Sequence, residues 1–144
     1  EFYKFNSEKD ETDLEIALAL ASERGFKKIL ITGVLGGRFD HTIGNICLLK
    51  KCADMKLDAV IKDSRTEVRL LNKSFEFNSE KNVYYSVFPF FEEAVISLIG
   101  FKYKLSGKLL KPGDVLGISN EAVRDKCTVS LERGSVLFVK SLKD

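Results

Sequence analysis

The sequence predicts an α/β fold followed by an all-β fold, with the change at about residue 66. Up to that point, short apolar runs rich in β-branched residues alternate with segments of helical periodicity. This alternation is typical of a partial Rossmann-like parallel sheet with crossover helices. Beyond it, apolar residues recur at every second position between turns that contain Gly, Pro and Asp, which indicates a β-sandwich or barrel. We therefore predict two domains, residues 1–66 and residues 67–144.

The α/β part begins with a helix start signal. Thr12, followed by Glu15 three positions later, fits a capping box, so a helix is predicted from about Asp13. Gly25 is a suitable C-terminal stop for that helix. The elements predicted next are a strand over residues 28–32, a helix over residues 42–55 and a buried strand over residues 57–62.

The all-β part is predicted to contain eight short strands. Turns at residues 106–107, 111–114 and 132–134 separate several of them, because each contains a glycine beside polar residues. The predicted strands cover residues 68–70, 75–77, 83–88, 94–98, 101–105, 115–118, 127–131 and 135–139.

Composition and charge exclude several classes of protein. The 144 residues carry a formal net charge of +2, with 44% hydrophobic and 31% charged residues, as in an ordinary globular protein. No stretch concentrates Lys and Arg, so nucleic acid is not an expected partner, and no apolar run is long enough to span a membrane. Three cysteines without a C-x-x-C pair and a single histidine argue against a zinc site and predict a reducing, cytoplasmic setting.

Residues 33–41, Gly-Val-Leu-Gly-Gly-Arg-Phe-Asp-His, are the strongest candidate for a ligand-binding loop. They lie between a predicted strand and a predicted helix, where α/β proteins bind anionic ligands. Gly36 and Gly37 allow the backbone to approach a ligand closely. Arg38 offers a planar set of donors for phosphate, and Asp40 offers an oxygen ligand for a metal ion. Taken alone, the segment is equally compatible with a solvated turn.

Asp10, Glu11 and Asp13 form an acidic segment before the first predicted helix. Favourable interaction with the helix dipole, about 0.3–1 kcal/mol for each carboxylate, explains them without any function. However, this segment and the glycine loop both precede helices of a predicted βαβ arrangement, so both are expected at the same edge of the sheet. Carboxylates from Asp10 or Asp13 and from Asp40 could then bind one Mg²⁺, while Arg38 neutralises a phosphate chain.

Four further residues have an ordinary structural explanation when each is taken alone. Ser119 and Asn120 lie in a turn predicted after a strand, and Tyr103 is an aromatic residue on a predicted Lys-Tyr-Lys strand. His41 could act as a general base or as a structural hydrogen-bonding group at the start of a helix.

Taken together, these segments resemble the ordered motifs of the thiamine pyrophosphokinase family. The resemblance rests on residues 9–15 (Lys-Asp-Glu-Thr-Asp-Leu-Glu), 36–41 (Gly-Gly-Arg-Phe-Asp-His) and 117–121 (Gly-Ile-Ser-Asn-Glu). Residues 101–105 stand where that family has a Gly-Leu-Lys-aromatic-x-Leu strand, although position 103 is Tyr and the chain contains no Trp. The resemblance extends over essentially the whole chain.

The resemblance implies a nucleotide-binding catalytic α/β domain followed by a thiamine-binding β-sandwich. It implies thiamine diphosphokinase activity, in which diphosphate moves from ATP to thiamine, giving thiamine diphosphate and AMP, with Mg²⁺ as cofactor. It also implies a homodimer with active sites at the subunit interface. The family's upstream part, with its acidic Gly-Asp-x-Asp motif, has no counterpart in this sequence, so the chain is expected to be N-terminally incomplete.

The resemblance also assigns roles residue by residue. Asp10 and Asp13 would bind Mg²⁺, and Asp13 would form the catalytic set with Arg38 and Asp40. Asp40 as the base for the thiamine hydroxyl is a hypothesis that rests on its place beside Arg38. The nucleotide-binding residues would be Lys9, Asp10, Thr12, Gly36, Gly37, Arg38 and His41, and the thiamine-binding residues would be Ser119, Asn120 and Tyr103.

Two other functions are compatible with the sequence. One is a non-catalytic module that binds thiamine or a nucleotide, and the other is an interaction module whose exposed sheet edge pairs with another chain. The joint presence of Asp13, Arg38 and Asp40 favours the enzyme, because a pure thiamine binder needs no phosphate-handling loop.

Overall fold

The computed structural model describes residues 11–144, which form two helices and nine strands. Within this part of the chain, neither helix is long and apolar enough to span a membrane. The helices are α1 (Asp13–Glu23) and α2 (Phe39–Asp54). The strands are β1 (Lys28–Ile31), β2 (Asp58–Lys62), β3 (Thr66–Leu71), β4 (Phe75–Asn78), β5 (Val83–Phe88), β6 (Ala94–Ile99), β7 (Leu105–Leu110), β8 (Lys126–Arg133) and β9 (Val136–Leu142).

A five-stranded sheet joins the two halves of the chain, in the order β1-β2-β3-β9-β5. β1 and β2 are parallel, with Ile31 opposite Ile61, and α2 connects them. The remaining neighbours, β2 with β3, β3 with β9 and β9 with β5, are antiparallel. The sheet therefore continues through residue 66, where the sequence pattern changes, because β3 begins at Thr66 and pairs directly with β2.

The second sheet is antiparallel and has the strand order β4-β8-β6-β7. Its buried residues share one apolar core with those of the five-stranded sheet, including Ile96 and Val129 from the second sheet and Tyr85 and Phe138 from the first. Aromatic rings fill much of this space: the centroid of Phe77 lies 5.0 Å from that of Tyr85 and 5.1 Å from that of Phe138. The two sheets are thus held together by a core that both supply.

A second apolar core forms between the helices and the five-stranded sheet. It contains Leu18 of α1 and Leu49 of α2, together with Ile61 of β2 and Leu137 of β9. Because successive side chains of a strand point to opposite faces, one sheet can contribute to both cores. The five-stranded sheet is therefore covered by helices on one face and by the second sheet on the other.

The boundaries of α1 confirm the sequence prediction. The Thr12 hydroxyl accepts a hydrogen bond from the Glu15 backbone N–H at 3.2 Å, as expected of an N-cap. At the other end Gly25 has a φ of 82°, and the Phe26 N–H donates to the Ala21 carbonyl at 3.1 Å. This six-to-one hydrogen bond with a left-handed glycine is a Schellman ending.

The second helix begins earlier than predicted, at Phe39 rather than at residue 42. Its first turn is closed by the Thr42 N–H, which donates to the Arg38 carbonyl at 3.2 Å. The Asp40 carboxylate accepts from the His41 N–H at 3.0 Å, which satisfies one of the free donors at the helix start. Asp40 and His41 therefore lie inside the helix rather than in the preceding loop.

Two predicted strands are wrong. Residues 101–104 form a bend with a single bridge at Phe101, and residues 115–118 form turns. Val115 and Leu116 are 67% and 58% exposed, so the apolar alternation there does not correspond to a buried face. The turn predicted at residues 106–107 is also wrong, because both residues lie within β7.

Gly134 is the glycine for which the fold leaves least room, and this gives a first prediction. A Cβ at Gly134 would lie 1.9 Å from the Glu93 carbonyl oxygen, and the residue has a φ of 80°. Gly113 has a φ of 99° but open space around it. We expect Gly134→Ala to lower the free energy of unfolding by about 3 kcal/mol and Gly113→Ala by about 1 kcal/mol, measured by urea denaturation. Equal losses would show that the Glu93 contact does not constrain this turn.

Candidate active site

The start of α1 places one set of predicted residues at the surface. Thr12 and Asp13 are exposed, and Asp13 lies in the first turn of the helix. A carboxylate at this position is stabilised by the helix dipole. Lys9 and Asp10, the other predicted ligands of this segment, lie outside the described residues.

The glycine loop follows β1 directly and is held in shape from α2. Gly33, Gly36 and Gly37 all have positive φ values, between 68° and 86°, a conformation that favours glycine. The Asn45 side chain donates to the Val34 carbonyl at 3.0 Å. These contacts fix an exposed loop between a parallel strand and the N-terminus of a helix, as the sequence predicts.

Arg38 and Asp40 form an exposed ion pair at the beginning of α2. The Arg38 Nε donates to Asp40 Oδ1 at 3.1 Å, and its Nη2 donates to Oδ2, so the pairing is bidentate. The two side chains are 74% and 62% exposed. Both groups therefore face solvent in a pre-aligned pair, and an incoming phosphate would compete with Asp40 for the guanidinium.

The hydrogen bonds from Arg38 hold the pKa of Asp40 below its ordinary value of 3.8, and the His41 backbone N–H acts in the same direction. A carboxylate with a lowered pKa is a weak base at neutral pH. Asp40 is therefore better suited to orient a ligand by accepting a hydrogen bond than to act as a strong proton acceptor.

The contact between the two helices bears on whether Asp13 and Asp40 meet. Glu15, in the first turn of α1, forms an ion pair with Lys51, in the last turn of α2. Lys51 is eleven residues from Asp40, which is about 16 Å along an α-helix. That Asp13 and Asp40 bind one ligand therefore stays a prediction. It requires the start of α1 to lie near the start of α2, whereas the Glu15–Lys51 ion pair places it beside the end of α2.

The side chains of this region could bind Mg²⁺ only through a small number of protein ligands. Within residues 11–144, no group of three or more His, Cys, Asp or Glu side chains is close enough to hold a metal ion. Mg²⁺ bound with a nucleotide commonly uses one or two protein carboxylates, with water and phosphate oxygens as the other ligands. An exposed carboxylate such as that of Asp13 satisfies this requirement.

Of the other predicted site residues, Tyr103 lies in the bend at residues 101–104, whereas Ser119 and Asn120 lie in a loop that is hydrogen-bonded to the outer edge of β5. The Val87 N–H donates to the Gly117 carbonyl at 2.9 Å, and Tyr85 and Asn120 exchange backbone hydrogen bonds at 2.8 and 2.9 Å. The Ser119 N–H donates to the Ser86 hydroxyl at 3.0 Å. This loop is therefore bound to the sheet edge by hydrogen bonds without forming a strand, and Ser119 is presented at the surface with a φ of 57°.

Asn120 is the exception among these residues, because its side chain is buried. It is 1% exposed, and its Oδ1 accepts from the N–H groups of Tyr103 and Glu121 at 3.0 and 2.9 Å. Its Nδ2 donates to the Tyr103 carbonyl at 2.7 Å. The structure thus joins Asn120 to Tyr103, as the sequence grouped them, but by contacts within the protein.

A charged cluster beside this loop was missed by sequence reasoning. The Glu121 carboxylate accepts from Lys102 Nζ at 3.1 Å and also from Lys143, and Lys143 Nζ lies 4.7 Å from the centroid of the Tyr84 ring. The hydrogen bond from Lys143, followed by that from Lys102, lowers the pKa of Glu121. Glu121 belongs to a recognised motif, but nothing in the sequence links it to Lys143, which lies 22 residues away.

The fold and the site together define the class of protein. It is an α/β protein joined to an antiparallel β part, and its glycine loop follows a parallel strand, as anion-binding loops do in other α/β proteins. Two family profiles match the chain. "Thiamin pyrophosphokinase, catalytic domain" matches residues 1–61, and "Thiamin pyrophosphokinase, vitamin B1 binding domain" matches residues 72–136. The chain therefore belongs to the thiamin pyrophosphokinase family.

Individual relatives agree with this assignment. A thiamine pyrophosphokinase of Bacillus subtilis is 35% identical over 141 residues, which are 95% of this chain and 65% of that protein. Its crystal structure matches with a TM-score of 0.88 at 34% identity, over 94% of this chain and 65% of that one. The crystal structure of thiamin pyrophosphokinase from Geobacillus thermodenitrificans matches with a TM-score of 0.83 at 35% identity, over 96% and 65%. The chain thus spans about two thirds of the length of these relatives.

The Arg38–Asp40 pair generates a second prediction. Because the hydrogen bonds from Arg38 are the largest cause of the lowered Asp40 pKa, Arg38→Ala should return that pKa towards 3.8. Any stability that the pair contributes is present above the unfolded pKa and is lost as the pH falls through the lowered value, so the window lies below about pH 4.

A carboxyl-detected NMR titration of Asp40 measures this change. Lys50→Ala is the control, since Lys50 pairs with Asp54 at the far end of the same helix. An Asp40 titration that is the same in Arg38→Ala and in the unaltered chain would refute the pairing.

Proposed function

We propose that this protein transfers diphosphate from ATP to thiamine, giving thiamine diphosphate and AMP. The observation that carries the proposal is the bidentate Arg38–Asp40 pair at the start of α2, directly after a parallel strand and a glycine loop. In a chain of this family, such a pair is suited to hold a polyphosphate against an acceptor hydroxyl. A non-catalytic thiamine binder would have no use for it.

The reaction depends mainly on position and charge. The thiamine hydroxyl oxygen attacks the β-phosphorus of ATP, the bond from that phosphorus to the oxygen bridging to the α-phosphate breaks, and AMP leaves. Arg38 binds phosphate oxygens as negative charge shifts between them. Asp40 accepts a hydrogen bond from the hydroxyl and orients it; as a weak base it takes the proton only late, once bonding to phosphorus has made the hydroxyl acidic.

The remaining residues of the glycine loop and the α1 start complete the nucleotide site in this proposal. Gly36 and Gly37 allow the phosphates close to the backbone, and His41 lies one residue after Asp40 at the helix start. Asp13, together with Asp10 outside the described residues, holds Mg²⁺, which when bound neutralises phosphate charge. Lys9 and Thr12 belong to the same segment and complete the nucleotide-binding set.

Thiamine is supplied from the β part. Ser119 offers a hydroxyl at an exposed position, and Tyr103 offers an exposed ring for stacking on an aromatic ring of the substrate. We assign residues 1–66 to a catalytic domain with a Rossmann-like parallel sheet and residues 67–144 to a thiamine-binding β-sandwich. The parallel β1–β2 pair with its helical connection supports the first assignment, and the core shared by two sheets supports the second.

The protein acts as a homodimer with its active sites at the subunit interface. Support comes from four apolar side chains that are at least 43% exposed within nine residues: Val115, Leu116, Ile118 and Val123. Apolar surface of this density is typical of interaction sites. The three cysteines are free thiols, which suits a reducing, cytoplasmic setting.

Replacement of an apolar residue in this segment tests the dimer. Leu116→Asp should shift the protein to monomer in sedimentation, since a carboxylate buried at an interface without a partner is unfavourable. Leu109→Asp, at another exposed apolar position 42% exposed on β7, is the control. An unchanged sedimentation coefficient for Leu116→Asp would place the interface elsewhere.

The activity is tested by AMP release from ATP, Mg²⁺ and thiamine, using the protein as its gene encodes it. Asp40→Asn should lower kcat by about 100-fold, because an amide keeps the size of the side chain but loses the charge and the acceptor strength. Asp54→Asn provides a matched control, since Asp54 is an equally exposed carboxylate in an ion pair on the same helix.

Each outcome of this assay has a distinct reading. No thiamine-dependent AMP from the unaltered protein would exclude the enzyme. Calorimetry with ATP·Mg²⁺ and thiamine, each alone, would then decide whether a binding function remains. Near-normal turnover by Asp40→Asn would remove Asp40 from the catalytic set but leave the activity in place.

A further inference from the structure

We infer that Asn120 is a positioning residue, which acts on thiamine binding through Tyr103 and does not contact the substrate itself. The inference rests on the proposed function, because it concerns the thiamine side of the same site. It differs from the role that the resemblance gives Asn120, which is to line the thiamine pocket.

Asn120 is buried, and its side chain is hydrogen-bonded within the protein. The residue is 1% exposed, and its amide makes three hydrogen bonds to backbone groups of Tyr103 and Glu121. An asparagine side chain has one carbonyl oxygen with two lone pairs and one NH₂ group with two N–H donors. Here both lone pairs and one N–H are used, and the burial of the residue keeps the other N–H away from the surface. A substrate would have to displace buried protein hydrogen bonds to reach this amide, which is unfavourable.

The second step is the way in which the amide binds Tyr103. Oδ1 accepts from the Tyr103 N–H at 3.0 Å, while Nδ2 donates to the Tyr103 carbonyl at 2.7 Å. The side-chain amide of Asn120 thus binds both polar backbone atoms of Tyr103 and fixes the orientation of Tyr103 within the bend. We call this pair of hydrogen bonds the clamp. The Tyr103 ring is 58% exposed, so the clamp presents an aromatic surface to solvent rather than burying it.

The third step is the anchoring of Asn120 itself. Its backbone exchanges two hydrogen bonds with Tyr85, a fully buried residue of β5. Next to it, the Glu121 carboxylate is bound by Lys102, the neighbour of Tyr103, and by Lys143 near the end of the chain. The clamp is therefore anchored to the five-stranded sheet, which limits movement of the Tyr103 backbone and so of its ring.

A double-mutant cycle on the thiamine KM tests this inference. Asn120→Asp keeps the shape and the acceptor oxygen but places a second oxygen against the Tyr103 carbonyl, so the clamp opens. We expect it to raise the KM for thiamine about tenfold, with kcat and the KM for ATP within about twofold of the unaltered protein. Tyr103→Ala should raise the thiamine KM by a similar factor. In the double variant the increase should equal that of Tyr103→Ala alone, since Asn120 acts only through that residue.

Several results would overturn the inference. Multiplied KM effects in the double variant would show that Asn120 acts independently of Tyr103. A thiamine KM unchanged by Tyr103→Ala would remove Tyr103 from the site, and this holds even if Asn120→Asp fails to fold. Ser97→Ala is the control for the loss of a sheet hydrogen bond, because the Ser97 hydroxyl accepts from the Gly107 N–H at 2.8 Å away from this loop. It should leave the thiamine KM unchanged.

The AMP-release assay gives a different result if the proposed function itself is wrong. In that case the unaltered protein itself releases no AMP. Hydrogen exchange at the Tyr103 amide still tests the clamp there: the inference requires exchange that is faster by about tenfold or more in Asn120→Asp than in Ser97→Ala, and equal rates would contradict it.

Discussion

The structure depends on the burial of β9 on both of its faces. Val136 and Phe138 belong to the core between the two sheets, whereas Leu137 belongs to the core beneath the helices. β9 also has a strand on each side, β3 and β5. Because this strand completes both cores and lies within the five-stranded sheet, the α/β part and the β part cannot be separated without exposing apolar surface on both.

This arrangement explains how the two predicted halves of the site are supported. The glycine loop and the Arg38–Asp40 pair follow β1 at one side of the five-stranded sheet, and the loop with Ser119 and Asn120 is bonded to β5 at the other. That separation is the physical reason to propose that a second copy of the chain completes each active site. The exposed ion pair, which water and salt weaken, suits a charged polyphosphate, whereas the buried Asn120 amide fixes a bend that presents a flat aromatic surface.

Short stretches of sequence are enough to predict several of the local elements. The Thr12–Glu15 capping box, the Gly25 stop and the strand–glycine–helix order each depend on neighbouring residues, so they can be identified in a short window. The earlier start of α2 at Phe39 was missed because its N-cap residue is Arg38, which makes no side-chain cap hydrogen bond, so the usual start signal is absent there. The strands predicted at residues 101–105 and 115–118 failed because alternation of apolar residues indicates a strand only where one face is buried.

Only the packed fold shows which distant groups meet. The joining of β2 to β3 across residue 66, the ion pair between Glu15 and Lys51, and the clamp of Asn120 on Tyr103 link positions between 5 and 36 residues apart. Such contacts follow from how whole sheets and helices pack, and no local pattern encodes them. The sequence therefore indicated candidate residues for phosphate and aromatic recognition, while the packing decided which of them face solvent and which are buried.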